Sequence, residues 1–167
     1  MPATTVAKAA TFHLSPEKRT SLDLCFDALA RGGREKPAAI PLPAGAAFGA
    51  ITVDPQACTL CKACVGACPE SALLDAQDAP ELRFIERNCV QCGLCEKTCP
   101  EGAIRLVPRL ALGAAAKEAA TLHAAEPFHC VLCGKPFGTR RMVESMAGKL
   151  GGHAMYASAA GLRGLQM

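Results

Sequence analysis

The chain has 167 residues, a net charge of +3, 50% hydrophobic residues but only 4% aromatic ones, no tryptophan, and eleven cysteines. So few large side chains leave little with which to build a wide core, and domains in that position are held by disulfides or by metal. An odd cysteine count, with no charged start leading into a continuous apolar stretch, argues against a secreted disulfide scaffold and for a reducing cytoplasm; no apolar run approaches the roughly 20 residues a bilayer-spanning helix needs.

In chain order, Ser15-Pro16-Glu17 supplies an N-cap, a proline for the first helical position and an acid for the first turn. This predicts a helix over residues 15–31, with Leu22, Cys25, Phe26 and Leu29 as its apolar stripe and Gly32-Gly33 as its stop. Cys25 on that stripe reads as a small buried hydrophobe. Residues 36–50, with three prolines, read as a linker or irregular hairpin, and 50–54 as a short strand. Residues 82–86 and 103–107 also read as strands. The alanine-rich stretch 110–125 predicts a connecting helix that Pro127 ends. Thr139 can cap a last helix in which Met142, Val143, Met146 and Leu150 form one apolar stripe, read as core packing, before Gly151-Gly152 stops it.

Between the first two predicted strands and after them lies the clearest pattern in the chain. Cys58, Cys61, Cys64, Cys68 and Pro69 recur at Cys89, Cys92, Cys95, Cys99 and Pro100, an offset of 31 residues at all five positions. Three thiolates within seven residues let one tight loop wrap three corners of an inorganic cube with backbone N–H groups turned toward the sulfurs, while the fourth cysteine points elsewhere. Closed tetrahedral zinc sites are poorly matched by this spacing. Small or aliphatic residues between the cysteines, among them Ala63, Gly66, Ala67, Gly93 and Leu94, permit close backbone approach and keep water off the sulfurs. Leu60, Val90, Ile51, Phe84, Ile85, Ile104 and Leu106 are expected to complete the apolar shell.

The doubled Cys-x2-Cys-x2-Cys-x3-Cys-Pro run resembles the dicluster bacterial ferredoxin family across residues 51–108. The resemblance implies an α+β, ferredoxin-like fold with a pseudo-twofold repeat, and two 4Fe-4S clusters. It also implies a crossed ligand set: Cys58, Cys61, Cys64 and Cys99 for cluster 1, and Cys89, Cys92, Cys95 and Cys68 for cluster 2. Electron transfer follows as the expected function, with low-potential one-electron couples and redox proteins as partners. With every iron site taken by cysteine, no catalytic activity of its own is expected.

Around this unit the expected organisation is an N-terminal helix and linker (1–50), the dicluster domain (51–108), a connecting helix (109–125) and a small helical, zinc-knuckle-like C-terminal segment (126–167). In that last segment Cys130-x2-Cys133-Gly134 can offer two thiolates to zinc, although a structural zinc takes four ligands. His123, His129 and His153 are candidates to complete it. Residues 129–137 and 151–167 are similar to the tail of longer proteobacterial iron-sulfur proteins associated with formate dehydrogenase. That resemblance implies a further Cys-x2-Cys pair beyond a truncated end, and a formate dehydrogenase system as partner.

Charge is uneven. Residues 1–50 carry six basic and four acidic side chains, 51–108 five and eight, and 109–167 seven and three. With each cluster adding about −2, the middle segment becomes strongly acidic and suited to basic partners. A binding module that contacts nucleic acid through Arg140, Arg141 and Lys149 is the alternative of a different class, but Phe137 and Tyr156 alone provide little stacking surface, so nucleic acid is not an expected partner. A metalloenzyme assembly factor is a third reading.

Overall fold

The computed structural model describes residues 11, 13–32, 37–76, 79–156 and 158–164. The predicted stop at Gly33, the start of the linker at Lys36 and the last three residues lie outside them.

A helix α1, Lys18–Gly32, precedes two strands, β1 (Ala39–Pro41) and β2 (Gly49–Val53). Then come α2 (Ala63–Gly66), β3 (Leu73–Asp75), β4 (Glu81–Phe84), α3 (Leu94–Thr98), β5 (Ile104–Ala111) and β6 (Ala120–Ala124). A hairpin of β7 (Pro127–His129) and β8 (Pro136–Thr139) leads into α4 (Arg140–Leu150), and α5 (Ala159–Gly164) follows. The mixture of helix and sheet agrees with the expected α+β class.

Two antiparallel three-stranded sheets form the centre, in the orders β1-β5-β2 and β3-β4-β6. In the first, β5 is long enough to serve two neighbours. Its Ile104 to Pro108 pair with Val53 to Gly49, and its Arg109 to Ala111 pair with Pro41 to Ala39. In the second, alternation decides the faces: Leu82 and Phe84 of β4 turn inward while Glu81 and Arg83 do not. The core between them is thin and aliphatic, with Ile51, Leu60, Leu73, Leu82, Phe84 and Ile104 packed beside Cys64, Cys89 and Cys95.

The predicted helix over 110–125 is not formed. β5 continues to Ala111, a single 3₁₀ turn spans Ala114–Lys117, and Ala120–Ala124 is the strand β6 paired to β4. Alanine's advantage in a helix is at most several tenths of a kcal/mol per residue. Here that bias is outweighed by pairing along β4 and by Leu122 packing on the core. The C-terminal segment is likewise not purely helical, because Pro127 opens a strand where it was expected only to end a helix.

Two local predictions differ in degree. The first helix starts at Lys18 and not at Ser15, whose hydroxyl instead accepts from the Glu17 N–H at 3.2 Å. Cys25 is only half-buried, and α1 has no fully buried residue. Polar ties hold this helix in place: Arg19 donates to the carbonyls of Arg87 and Cys89 at 2.6 and 2.8 Å, and Arg87 pairs with Asp23 at 3.0 Å.

Thr139 does cap α4. Its hydroxyl accepts from the Met142 N–H at 3.1 Å and donates to the buried carbonyl of Thr59 at 3.0 Å, joining the C-terminal helix to the first cysteine loop. Val143 is buried, Met142 and Leu150 partly so, while Met146 stays exposed, so only part of the predicted stripe packs. Replacing Thr139 by alanine is expected to cost about 1–2 kcal/mol, since it removes a cap and leaves a buried carbonyl unpaired. The check is amide exchange at Met142, which should speed up by roughly tenfold or more.

Candidate metal centre

Each cysteine loop is built on backbone that a typical L-residue avoids. Leu60 and Lys62 have φ of 58° and 63°, and 31 residues later Gln91 and Gly93 have 54° and 77°. Ser71 and Gly102, at the same offset, have 49° and 59°. Left-handed residues in a short loop turn successive N–H groups to one side, where they can face an anionic sulfur. The loops do so: the N–H groups of Ala72 and Ala103 each lie 3.3 Å from a sulfur, Cys68 Sγ and Cys99 Sγ respectively, and Gln91 N–H lies 3.5 Å from Cys89 Sγ.

Two small cavities of about 20 Å³ each result. Cys58, Cys61, Cys64 and Cys99 line the first, together with Leu60, Leu82 and Ile104. Cys68, Cys89, Cys92 and Cys95 line the second, with Ile51, Leu73, Phe84 and Leu106 among their neighbours. Each cavity thus gathers three cysteines of one run and the last of the other. Cys64, Cys89 and Cys95 are buried, whereas Cys61 and Cys92 are exposed and give each cavity one thiol at the surface.

Burial pushes the Cys64 and Cys95 thiols up to about 11, and raises Cys58 for the same leading reason. Neighbouring thiols add to the effect in all three. Four thiolates crowded into an apolar cavity are therefore stable only around a cation, and loading one releases protons.

The residues fit a cluster better than a single ion. Among the described residues no three His, Cys, Asp or Glu side chains come close enough together to hold one metal ion. Four thiols around an apolar cavity instead match a multi-atom core with sulfur ligands at its corners.

The C-terminal pair is placed differently. Cys130 and Cys133 sit at the turn between β7 and β8, where the N–H groups of Leu132 and Cys133 point at Cys130 Sγ from 3.4 and 3.5 Å. Hydrogen bonds from Cys133 and then Leu132 hold the Cys130 thiol below its ordinary pKa. No third ligand joins them among the described residues. His153 accepts from the Met155 N–H and packs on Tyr156, and His123 lies on β6, so the expected completion by histidine is not found.

Sequence reasoning did not single out Gln91, whose side-chain amide lies 3.3 Å from Cys89 Sγ, or Arg19, which reaches the backbone of the same cysteine. The first was visible in principle, because Gln91 stands where the repeat puts Leu60 in the other run. The second required the docking of a helix 70 residues away in the chain.

Two sulfur-lined cavities on one small α+β scaffold define an iron-sulfur protein. Residues 57–104 match a family model described as a 4Fe-4S dicluster domain, and residues 81–135 match a second model of the same description. The chain carries a dicluster 4Fe-4S domain of the ferredoxin type. No curated protein matches it. No helix among the described residues is long and apolar enough to cross a membrane.

Proposed function

We propose that this protein carries electrons one at a time between redox partner proteins, with one cluster held by Cys58, Cys61, Cys64 and Cys99 and the other by Cys89, Cys92, Cys95 and Cys68. The observation that carries the reading is the grouping of those eight thiols around two cavities of equal size, each with one thiol at the surface. When bound, the clusters supply the one-electron couples. The chain's own residues bind, exclude water and set local charge. Apolar walls and inward N–H groups do the first two, and the exposed Cys61 and Cys92 shorten the path to a docked partner.

The two runs, their matching φ angles and their matching N–H to sulfur contacts support a pseudo-twofold repeat within a cluster-binding unit of residues 51–108. Its acidic surplus favours a partner with a basic face. The formate dehydrogenase system is the first candidate, on the resemblance of the C-terminal segment alone, and a reducing cytoplasm is the compartment that suits so many free thiols.

The test is a redox titration of the anaerobically purified protein. Two reversible one-electron couples and about eight iron and eight sulfide per chain are expected. An irreversible loss of fold on reduction, with nucleic-acid binding that falls with salt and ignores redox state, would sink the electron-transfer reading.

For the C-terminal turn we infer a half-site for zinc on Cys130 and Cys133, supported by the N–H groups trained on Cys130 Sγ. Two ligands hold zinc weakly. Zinc added to the protein is therefore expected to dissociate on gel filtration, and zinc that survives it in stoichiometric amount would show that further ligands complete the site.

A further inference from the structure

The two cysteine loops match in backbone but not in what they offer the sulfurs. At one position of the repeat the first loop has Leu60, a buried side chain of carbon only that lines the first cavity. Thirty-one residues later the second loop has Gln91, at nearly the same φ. Gln91 Nε2 donates to the Ala50 carbonyl at 2.9 Å and to Cys89 Sγ at 3.3 Å. Both partners are acceptors, so the amide nitrogen must be the atom that faces them.

The fold holds this amide at some expense. Gln91 Oε1 is buried and has no hydrogen-bond partner among the described residues, an arrangement that ordinarily destabilises. Gly49 on β2 packs directly on the amide: a Cβ there would lie 2.5 Å from Gln91 Cδ. A side chain at position 49 is excluded by the Val107 carbonyl as well as by the Gln91 carboxamide.

The charged groups are equal in number at the two sites but differently placed. Arg19 Nη2 donates to the Cys89 carbonyl at 2.8 Å, and buried Arg87 stands beside it, paired to Asp23. Two cations and two carboxylates, Asp23 and Glu70, therefore flank the second loop. The first cavity has Lys62, but its ammonium is matched by Asp75 at 2.6 Å. Glu101 at the first cavity is in turn matched by Lys149, so charge is balanced at both sites, and the difference is that Arg19 bonds directly to a ligand residue's carbonyl.

Resting on the electron-transfer reading above, we propose that Gln91, with Arg19 behind it, is a positioning residue that makes the Cys68, Cys89, Cys92 and Cys95 site the higher-potential of the two. Hydrogen bonds to a ligand sulfur, and a guanidinium bonded to that ligand's own carbonyl, favour the more negative, reduced form. An electron entering at the other site is then drawn toward this one, so the protein has a direction.

The experiment is an electron paramagnetic resonance redox titration of the full chain with its clusters, for wild type, Gln91→Leu, Gln91→Met and Arg19→Gln. Gln91→Leu copies the first loop, Gln91→Met keeps the length but cannot donate, and Arg19→Gln lies outside the cavity and keeps a donor. In each, the higher couple is expected to fall, by about tenfold in its reduction equilibrium for the Gln91 variants, or about 59 mV. The lower couple stays in place. Leu60→Gln should raise the lower couple and narrow the gap. Couples that do not move in Gln91→Met and Arg19→Gln, or a shift confined to the lower one, would overturn the assignment while leaving electron transfer intact. Absence of two reversible couples in the wild type would remove the electron-transfer reading itself.

Discussion

Replacing Cys99 by alanine is expected to empty or convert the site of Cys58, Cys61 and Cys64, and to leave the site of Cys89, Cys92 and Cys95 intact, although Cys99 closes the second run. Its sulfur lines the first cavity, 3.3 Å from the Ala103 N–H, because the chain leaves α3 away from its own loop. About half of the intact cluster signal should therefore be lost, since a site built for four thiolates retains three. Double variants separate the crossed arrangement from an uncrossed one. Cys58→Ala with Cys99→Ala should lose no more than either alone, whereas Cys89→Ala with Cys99→Ala should lose both sites. The reverse outcome, with the second pair losing only one site, would show that each run holds its own cluster.

Arg87→Ala is expected to cost about 3 kcal/mol, which for a chain of this size corresponds to roughly 6–12 °C in Tm. The Arg87 side chain is 4% exposed, pairs with Asp23 at 3.0 Å and donates to the Ala111 carbonyl at 3.3 Å. Its removal strands a carboxylate in a partly buried place and leaves a strand-end carbonyl without its donor. Breaking one partner of a buried pair costs about 3–5 kcal/mol, and Asp23, at 22% exposed, keeps enough water contact to place the effect at the lower end. Thermal unfolding of the cluster-loaded protein measures it. Asp23→Ala made together with Arg87→Ala should cost less than the two single changes added, because the stranded charge is gone. Strict additivity would mean that the pair contributes nothing as a pair. The exposed pairs Lys149 with Glu101 and Arg105 with Glu96 are expected to matter far less, since surface ion pairs contribute about 0–1 kcal/mol.

The apolar shell and the terminal cap were readable for a simple reason. Ile51, Leu60, Phe84 and Ile104 are large aliphatic or aromatic residues next to cysteines, and there are few others in this chain to fill a core. Thr139 three residues ahead of an amide it caps is a local signal. The stretch 110–125 misled because its signal was also local: alanine favours a helix in isolation, but β4 had an unpaired edge and β5 had a second neighbour in β1. Strand pairing of that kind depends on residues far apart in sequence and leaves no mark within the segment itself.

The sequence by itself determined the doubled cysteine run, the 31-residue offset and hence the chemistry, because ligand type and spacing are local and iron-sulfur cores demand them. Only the tertiary structure decided what surrounds each run. It brought Cys99 to the first cavity and Cys68 to the second, laid α1 across the second loop so that Arg19 reaches Cys89, and fitted Gln91 against Gly49. These are matters of distance between segments, and electrostatics falls off with distance in space and not along the chain. Two loops alike in sequence can therefore hold unequal sites.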